Sequence, residues 1–186
     1  MRVLFFVLIF LFQLPVFAGR CVSGDCQNGT GSYTFDNGDS YQGDFVAGKM
    51  EGSGVYTSKD GTKYTGEMKA GASHGQGKME FPDGSVYEGS YANNQPNGKG
   101  KFFQASGEKY SGRFKNGLYH GKGTIIYANG EKYEGNFSND KRDGKGMQFY
   151  KNGELFIGKW KDDKREGKGT LYKRVQSGNW VNDTKQ

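Results

Sequence analysis

The sequence predicts an all-β fold: an elongated, single-layer antiparallel sheet built from tandem 23-residue β-hairpins, after an amino-terminal signal peptide. Three observations carry that reading. The 186-residue chain holds 32 glycines but only 3 prolines, with aromatics at 15%, and disordered chains are poor in aromatics. A Tyr-x-Gly-x-aromatic motif recurs at one fixed interval. Within each recurrence the apolar residues alternate with the period of a strand, not of a helix.

Residues 1–18, MRVLFFVLIFLFQLPVFA, form the first element. Arg2 is followed by an apolar run from Val3 to Leu14, then Pro15 and the small-residue pattern Val16-x-Ala18. This is the layout of a secretory signal peptide cleaved after Ala18, and the run is short for a membrane span. The expectation is export to the periplasm, the cell surface or the extracellular space, of bacterial type. Residues 19–27 are a short segment carrying Cys21 and Cys26, the chain's two cysteines. An oxidising compartment would allow them a small-loop disulfide. A redox pair would need C-x-x-C spacing, which they lack.

Residues 28–184 hold the array. Full units start at Tyr41, Tyr64, Tyr87, Tyr110, Tyr133 and Phe156, always 23 residues apart. Two residues after each start stands a glycine: Gly43, Gly66, Gly89, Gly112, Gly135 and Gly158. Two further on stands Phe45, Met68, Tyr91, Phe114, Phe137 or Trp160. Each second half opens with G-x-G, from Gly52/Gly54 to Gly167/Gly169, and then apolar residues on one face, such as Met79 and Phe81 or Ile125 and Tyr127. Gln148 and Lys173 interrupt that face. Gly48, Gly71, Asn94, Gly117, Asp140 and Asp163 mark the hairpin turn, since these residue types tolerate positive φ. Asp-Gly, Ser-Gly and Asn-Gly pairs mark the return turns. A half-unit precedes the array and a degenerate unit, "SGNWVND", caps it, as a stacked repeat requires. Glycine in mid-strand weakens a strand unless something large approaches there. The expectation is that aromatic rings lie flat over glycine backbone and so make a thin core without a second layer.

These motifs resemble the MORN repeat family (membrane occupation and recognition nexus). The resemblance spans roughly Asn28 to Asp183 and implies a twisted antiparallel β array. It does not fix a function: such repeats occur in membrane-contact proteins, beside lipid-kinase and methyltransferase domains, and as free-standing bacterial proteins. No kinase or methyltransferase segment is expected here, so none of those activities carries over.

Candidates for chemistry are few, and the reading is of a non-enzymatic protein with no catalytic, metal or cofactor residues; an enzyme is the minor alternative, which a deep pocket with convergent titratable groups would favour. His74 and His120 share one polar turn phase two units apart, roughly 19 Å at the spacing of strands, too far for one metal. His120-Gly-Lys-Gly-Thr124 lacks the spacing of a phosphate-binding loop.

Charge is more informative. Residues 19–98 carry 6 basic and 10 acidic side chains, whereas residues 99–186 carry 19 basic and 10 acidic. Lys99, Lys122, Lys145 and Lys168 occupy the middle of successive G-x-G motifs and form a ladder away from the rings, with Lys141, Arg142, Lys164 and Arg165 as basic hairpin turns. The ladder is read as a binding strip for an anionic membrane surface or an acidic protein. Nucleic acid fits the charge weakly and export badly. Two readings stay open beside it: a solvated face that protects sheet edges, and a self-assembling module whose acidic and basic ends, or edge strands, attract one another as a homo-oligomer.

Overall fold

The computed structural model describes residues 18–173, 180–181 and 184–185. Residues 1–17 of the leader expected at 1–18, and most of the expected carboxy-terminal cap, lie outside the described residues. Fourteen strands form one open sheet in strict sequence order, and no helix occurs among the described residues. The first pair is β1 (Gly19–Gly24) and β2 (Thr30–Phe35). Six hairpins follow: β3 (Ser40–Val46) with β4 (Lys49–Thr57), β5 (Lys63–Lys69) with β6 (Ala72–Glu80), and β7 (Val86–Ala92) with β8 (Gln95–Phe103). Then come β9 (Lys109–Lys115) with β10 (Leu118–Ile126), β11 (Lys132–Ser138) with β12 (Lys141–Phe149), and β13 (Leu155–Lys161) with β14 (Lys164–Tyr172). The short strands β15 (Trp180–Val181) and β16 (Thr184–Lys185) pair only with each other. The segment read from sequence as a mere cysteine-bearing lead-in is thus the first strand of the sheet, and Cys21 and Cys26 are disulfide-bonded at its end.

The sheet holds together because glycine meets glycine. The register pairs Gly24, Gly31, Gly43, Gly54, Gly66, Gly77 and Gly89 in sequence across neighbouring strands. The row continues through Gly100, Gly112, Gly123, Gly135, Gly146, Gly158 and Gly169. One glycine from every strand therefore joins a furrow that crosses the whole sheet. The ring that opens each repeat lies in that furrow. A Cβ added at Gly54 or Gly43 would collide with Tyr41, and one at Gly146 or Gly135 with Tyr133. Each tyrosine hydroxyl then donates to the carbonyl three residues on: Tyr64 to Glu67 at 2.7 Å, Tyr110 to Arg113 at 2.9 Å, Tyr133 to Asn136 at 3.1 Å. Burial of the ring is thus combined with satisfaction of its polar tip, as buried tyrosines require.

The motif's second ring bridges repeats. Phe114 meets Tyr110 edge-on at 5.1 Å and Tyr87 of the preceding repeat at 4.9 Å. Trp160 does the same to Phe156 and Tyr133. From Tyr64 to Phe156 the core is a continuous row of edge-to-face rings, an arrangement that aromatic quadrupoles favour, while Met68 takes the bridging position between the first two repeats.

Two expectations need correction. The first glycine of each G-x-G does not sit under a ring. Gly52, Gly75, Gly98, Gly121, Gly144 and Gly167 have φ between +58° and +111°. In the first full hairpin Gly43 opposes Gly54 and the next pair is Phe45 with Met50, so one strand bulges there, and every full hairpin shifts register at this place. These glycines are bulge residues on the other side of the sheet; a Cβ at Gly52 would meet Asp44. The hairpin turn, moreover, uses two positive-φ residues: Ala47 with Gly48, Asn116 with Gly117, Asp162 with Asp163. Both central residues lie in the left-handed region, the type I′ geometry whose twist suits tight hairpins. Each turn also clasps the repeat before it. Asp140 N–H donates to Tyr119 O at 3.1 Å, and Tyr119 N–H donates to Asp140 Oδ1 at 2.7 Å.

Candidate binding surfaces

The two faces of the sheet differ in chemistry. On the ring face, the side chain nine residues after each repeat start lies over the first ring. In the fourth repeat it is Tyr119, stacked on Tyr110 at 3.6 Å and 7°. In the fifth it is Arg142, whose guanidinium sits 4.2 Å from the Trp160 ring and 5.6 Å from that of Tyr133. In the sixth it is Arg165, 5.1 Å over Phe156. Arg142 and Arg165 therefore do not extend the lysine strip; they face the opposite way, three residues and so an odd step before the G-x-G lysine. Arg142 is further engaged by Asp163 and donates to Gln148 Oε1 at 3.0 Å. Gln148, 1% exposed, thus interrupts the apolar phase as the buried partner of an arginine. Lys141 is paired with Asp162 at 2.9 Å. Lys164 lines a depression on the ring face with Arg165 and Trp160.

On the polar face, Lys122, Lys145 and Lys168 line one open depression together with Lys159. Lys99 stands one repeat earlier, opposite Arg113. Lys145 lies directly opposite Lys159 in the ladder, a like-charge pairing that is unfavourable without an anion. All six of these cations are exposed. Arg113 and Lys159 were not singled out in the sequence, although they share one phase, three residues after the repeat start. The same face carries exposed apolar side chains: Phe103 at 40%, Ile126 at 41%, Ile157 at 39% and Tyr172 at 54%. Phe103, Ile126 and Tyr172 also share a phase, four residues past each lysine, which strand parity places beside the ladder.

Titratable groups give no convergent catalytic set. Burial raises the carboxyl of Glu108 above its usual range, and raises that of Asp140 against the opposing hydrogen bond from Tyr119. Burial likewise pushes the hydroxyls of Tyr41, Tyr64 and Tyr133 up to about 12. These are consequences of packing along the ring row. Among the described residues no group of three or more His, Cys, Asp or Glu side chains is placed to hold a metal ion.

Among solved structures, the chain is similar to the TCP domain of SAS-4 from Drosophila melanogaster, which was solved in complex with a proline-rich motif of Ana2; identity is 12%, coverage 84% of this chain and 90% of that one, and the TM-score 0.48. It is also similar to the TCP10 domain of CPAP from Danio rerio, with 16% identity, 78% and 68% coverage, and a TM-score of 0.43. No curated protein matches it. The MORN repeat model, by contrast, matches at 27–40, 41–63, 64–86, 87–109, 110–132, 133–154 and 156–174. Its six later segments start at the residues that open each ring-and-glycine repeat, and the chain belongs to the MORN repeat family.

Proposed function

We propose that this non-enzymatic repeat protein docks on an anionic membrane surface through the polar face of its last four repeats. The observation that carries the reading is the interleaving there of exposed cations with exposed apolar side chains. Lys99, Lys122, Lys145, Lys159 and Lys168 alternate with Phe103, Ile126, Ile157 and Tyr172 on one side of the sheet. Lysines near an anionic leaflet contribute about 1 kcal/mol each, while apolar side chains enter the boundary between headgroups and acyl chains. Neither element suffices alone. The first two repeats have Thr57 and Glu80 where the later ones have Phe103 and Ile126, and Ser53 and Gln76 where the later ones have lysine. The contact is thus confined to the carboxy-terminal half.

Co-sedimentation with vesicles of phosphatidylglycerol against phosphatidylcholine tests this. The protein is expected to bind the former only, and less at high salt. Reversing Lys122, Lys145 and Lys168 to Glu is expected to abolish binding while β circular dichroism stays unchanged. Binding that survives the reversal, or none by the parent protein, refutes the reading.

A further inference from the structure

The ring face ends on an unfinished interaction. In the fifth repeat Arg142 lies over Tyr133 and Trp160, and the turn of the sixth repeat closes it off. Asp163 Oδ1 accepts from Arg142 N–H at 2.9 Å and from Nε at 3.2 Å. Asp163 O accepts from Nη2 at 2.8 Å, and Asp163 N–H donates to Arg142 O at 3.1 Å. In the sixth repeat Arg165 takes the same position over Phe156. The residue one period beyond Asp163 is Gln186, whose side chain is a neutral amide. Arg165 makes no ion pair among the described residues.

Beside it stands Trp160, 4% exposed, whose indole N–H is buried and has no acceptor among the described residues. A buried donor left unpaired costs about 1–3 kcal/mol. Trp160, Arg165 and Lys164 line one open depression on this face, with Tyr127 and Tyr150 across it. The site offers an aromatic floor, a planar guanidinium, an ammonium and an unused N–H donor; of the two carboxylates that also line it, Asp163 is taken by Arg142, and Glu131 leaves the depression with more cations than anions. Its counterpart one repeat earlier is filled by an aspartate in a turn.

We propose that this depression binds a carboxylate of an acidic peptide segment from a protein partner, placed on Arg165 as Asp163 is placed on Arg142. The guanidinium takes the carboxylate through its fork of donors, and the Phe156 ring beneath Arg165 holds that fork in place. The indole N–H donates to a partner carbonyl or carboxylate oxygen and is thereby satisfied. This site lies on the opposite face from the lysine ladder, so it adds a second ligand class to the membrane contact.

The test follows the indole N–H resonance of Trp160 in 15N-labelled full-length protein, with Trp180→Phe to assign it. The probe is a blocked Gly-Asp-Asp-Gly peptide. A saturable shift of the Trp160 resonance is expected, and Arg165→Gln is expected to weaken it about tenfold or more, the loss of one charge-assisted contact. Arg165 is exposed on an edge strand, so unchanged circular dichroism accompanies that loss. Reversing Lys122, Lys145 and Lys168 to Glu should leave the peptide response in place, which separates this site from the membrane contact. An indole unmoved by peptide, or a shift indifferent to Arg165→Gln, overturns the proposal. So does a shift caused by phosphatidylglycerol bicelles but not by peptide, which would give this face to lipid.

Discussion

The first two repeats and the last two share a backbone and differ in everything laid upon it. In both regions a ring lies across a pair of facing glycines: Tyr41 over Gly43 and Gly54, Phe156 over Gly158 and Gly169. One layer up, the side chain over the ring is Met50 or Ser73 in the first region and Arg142 or Arg165 in the second. On the other face, Asp44 and Glu67 bend back to their own bulge, accepting from Ser53 N–H at 3.1 Å and Gln76 N–H at 2.8 Å. In the last two repeats those positions hold Asn136 and Lys159. An acid that satisfies a bulge is replaced by a cation that faces Lys145. Residues that fix the hairpin are therefore separate from residues that set its surface. Charge can reverse along the array while the strands keep their register, because none of the reversing positions touches the glycine furrow.

The broadest way to test that shared frame is alkaline pH. Burial raises the ring tyrosines above their ordinary value near 10, with Tyr41, Tyr64 and Tyr133 pushed up to about 12. A group that binds its proton more tightly when folded contributes stability that is complete below its unfolded value. That stability is lost as pH rises from about 10 to about 12. Circular dichroism against pH should therefore show the array unfolding across this window, in step with phenolate absorbance. Phe156 carries no ionisable hydroxyl, so the ring that opens the sixth repeat contributes nothing to the transition. Phenolate absorbance that is complete near pH 10, before any loss of structure, would show the rings are not held as described.

A single methyl group probes the same frame at both ends. A Cβ at Gly43 would stand 2.6 Å from Gly54 Cα, and one at Gly135 would stand 2.6 Å from Gly146 Cα. In each case the obstacle includes backbone of the paired strand, which cannot turn aside. Gly43→Ala and Gly135→Ala are each expected to cost about 3–5 kcal/mol by urea titration, the upper range for one substitution. Comparable losses at the two positions would confirm one frame under two surfaces. A marked difference would mean the glycine row is not uniform.

Much of this was legible because strand parity and a fixed period are strong signals. Rings at Tyr41 and Phe45 had to share a side with Gly43 once the segment was extended. What was missed follows from the bulge. Simple alternation assigns Gly52 to the ring side together with Gly54, but extra residues in one strand break the count. Arg142 and Arg165 read as turn cations because they stand next to the hairpin turn, although their four-residue step from Gly146 and Gly169 puts them on the ring side. The glycine row across strands involves register between segments, which a single repeat does not reveal. The interleaved Phe103 and Ile126 could have been found by asking what accompanies each lysine two positions at a time.

The smallest expected effect is a gain. Five repeats open with tyrosine, whose hydroxyl donates to the carbonyl three residues on; the sixth opens with Phe156. Its counterpart acceptor is the carbonyl of Lys159, in a strand that otherwise follows the pattern of the other five. The Phe156 ring already lies across Gly158 and Gly169, where the others lie across their own glycine pairs. Phe156→Tyr should therefore place a hydroxyl at a carbonyl that lacks this donor. A net hydrogen bond contributes about 0.5–1.5 kcal/mol, and thermal melting should rise accordingly. Hydrogen exchange gives the sharper reading, since repeat arrays are stabilised locally and through their neighbours. Protection should increase in β13 and β14 and leave β3 to β6 unchanged. A loss of stability would show that the last ring sits in its furrow differently from the five before it.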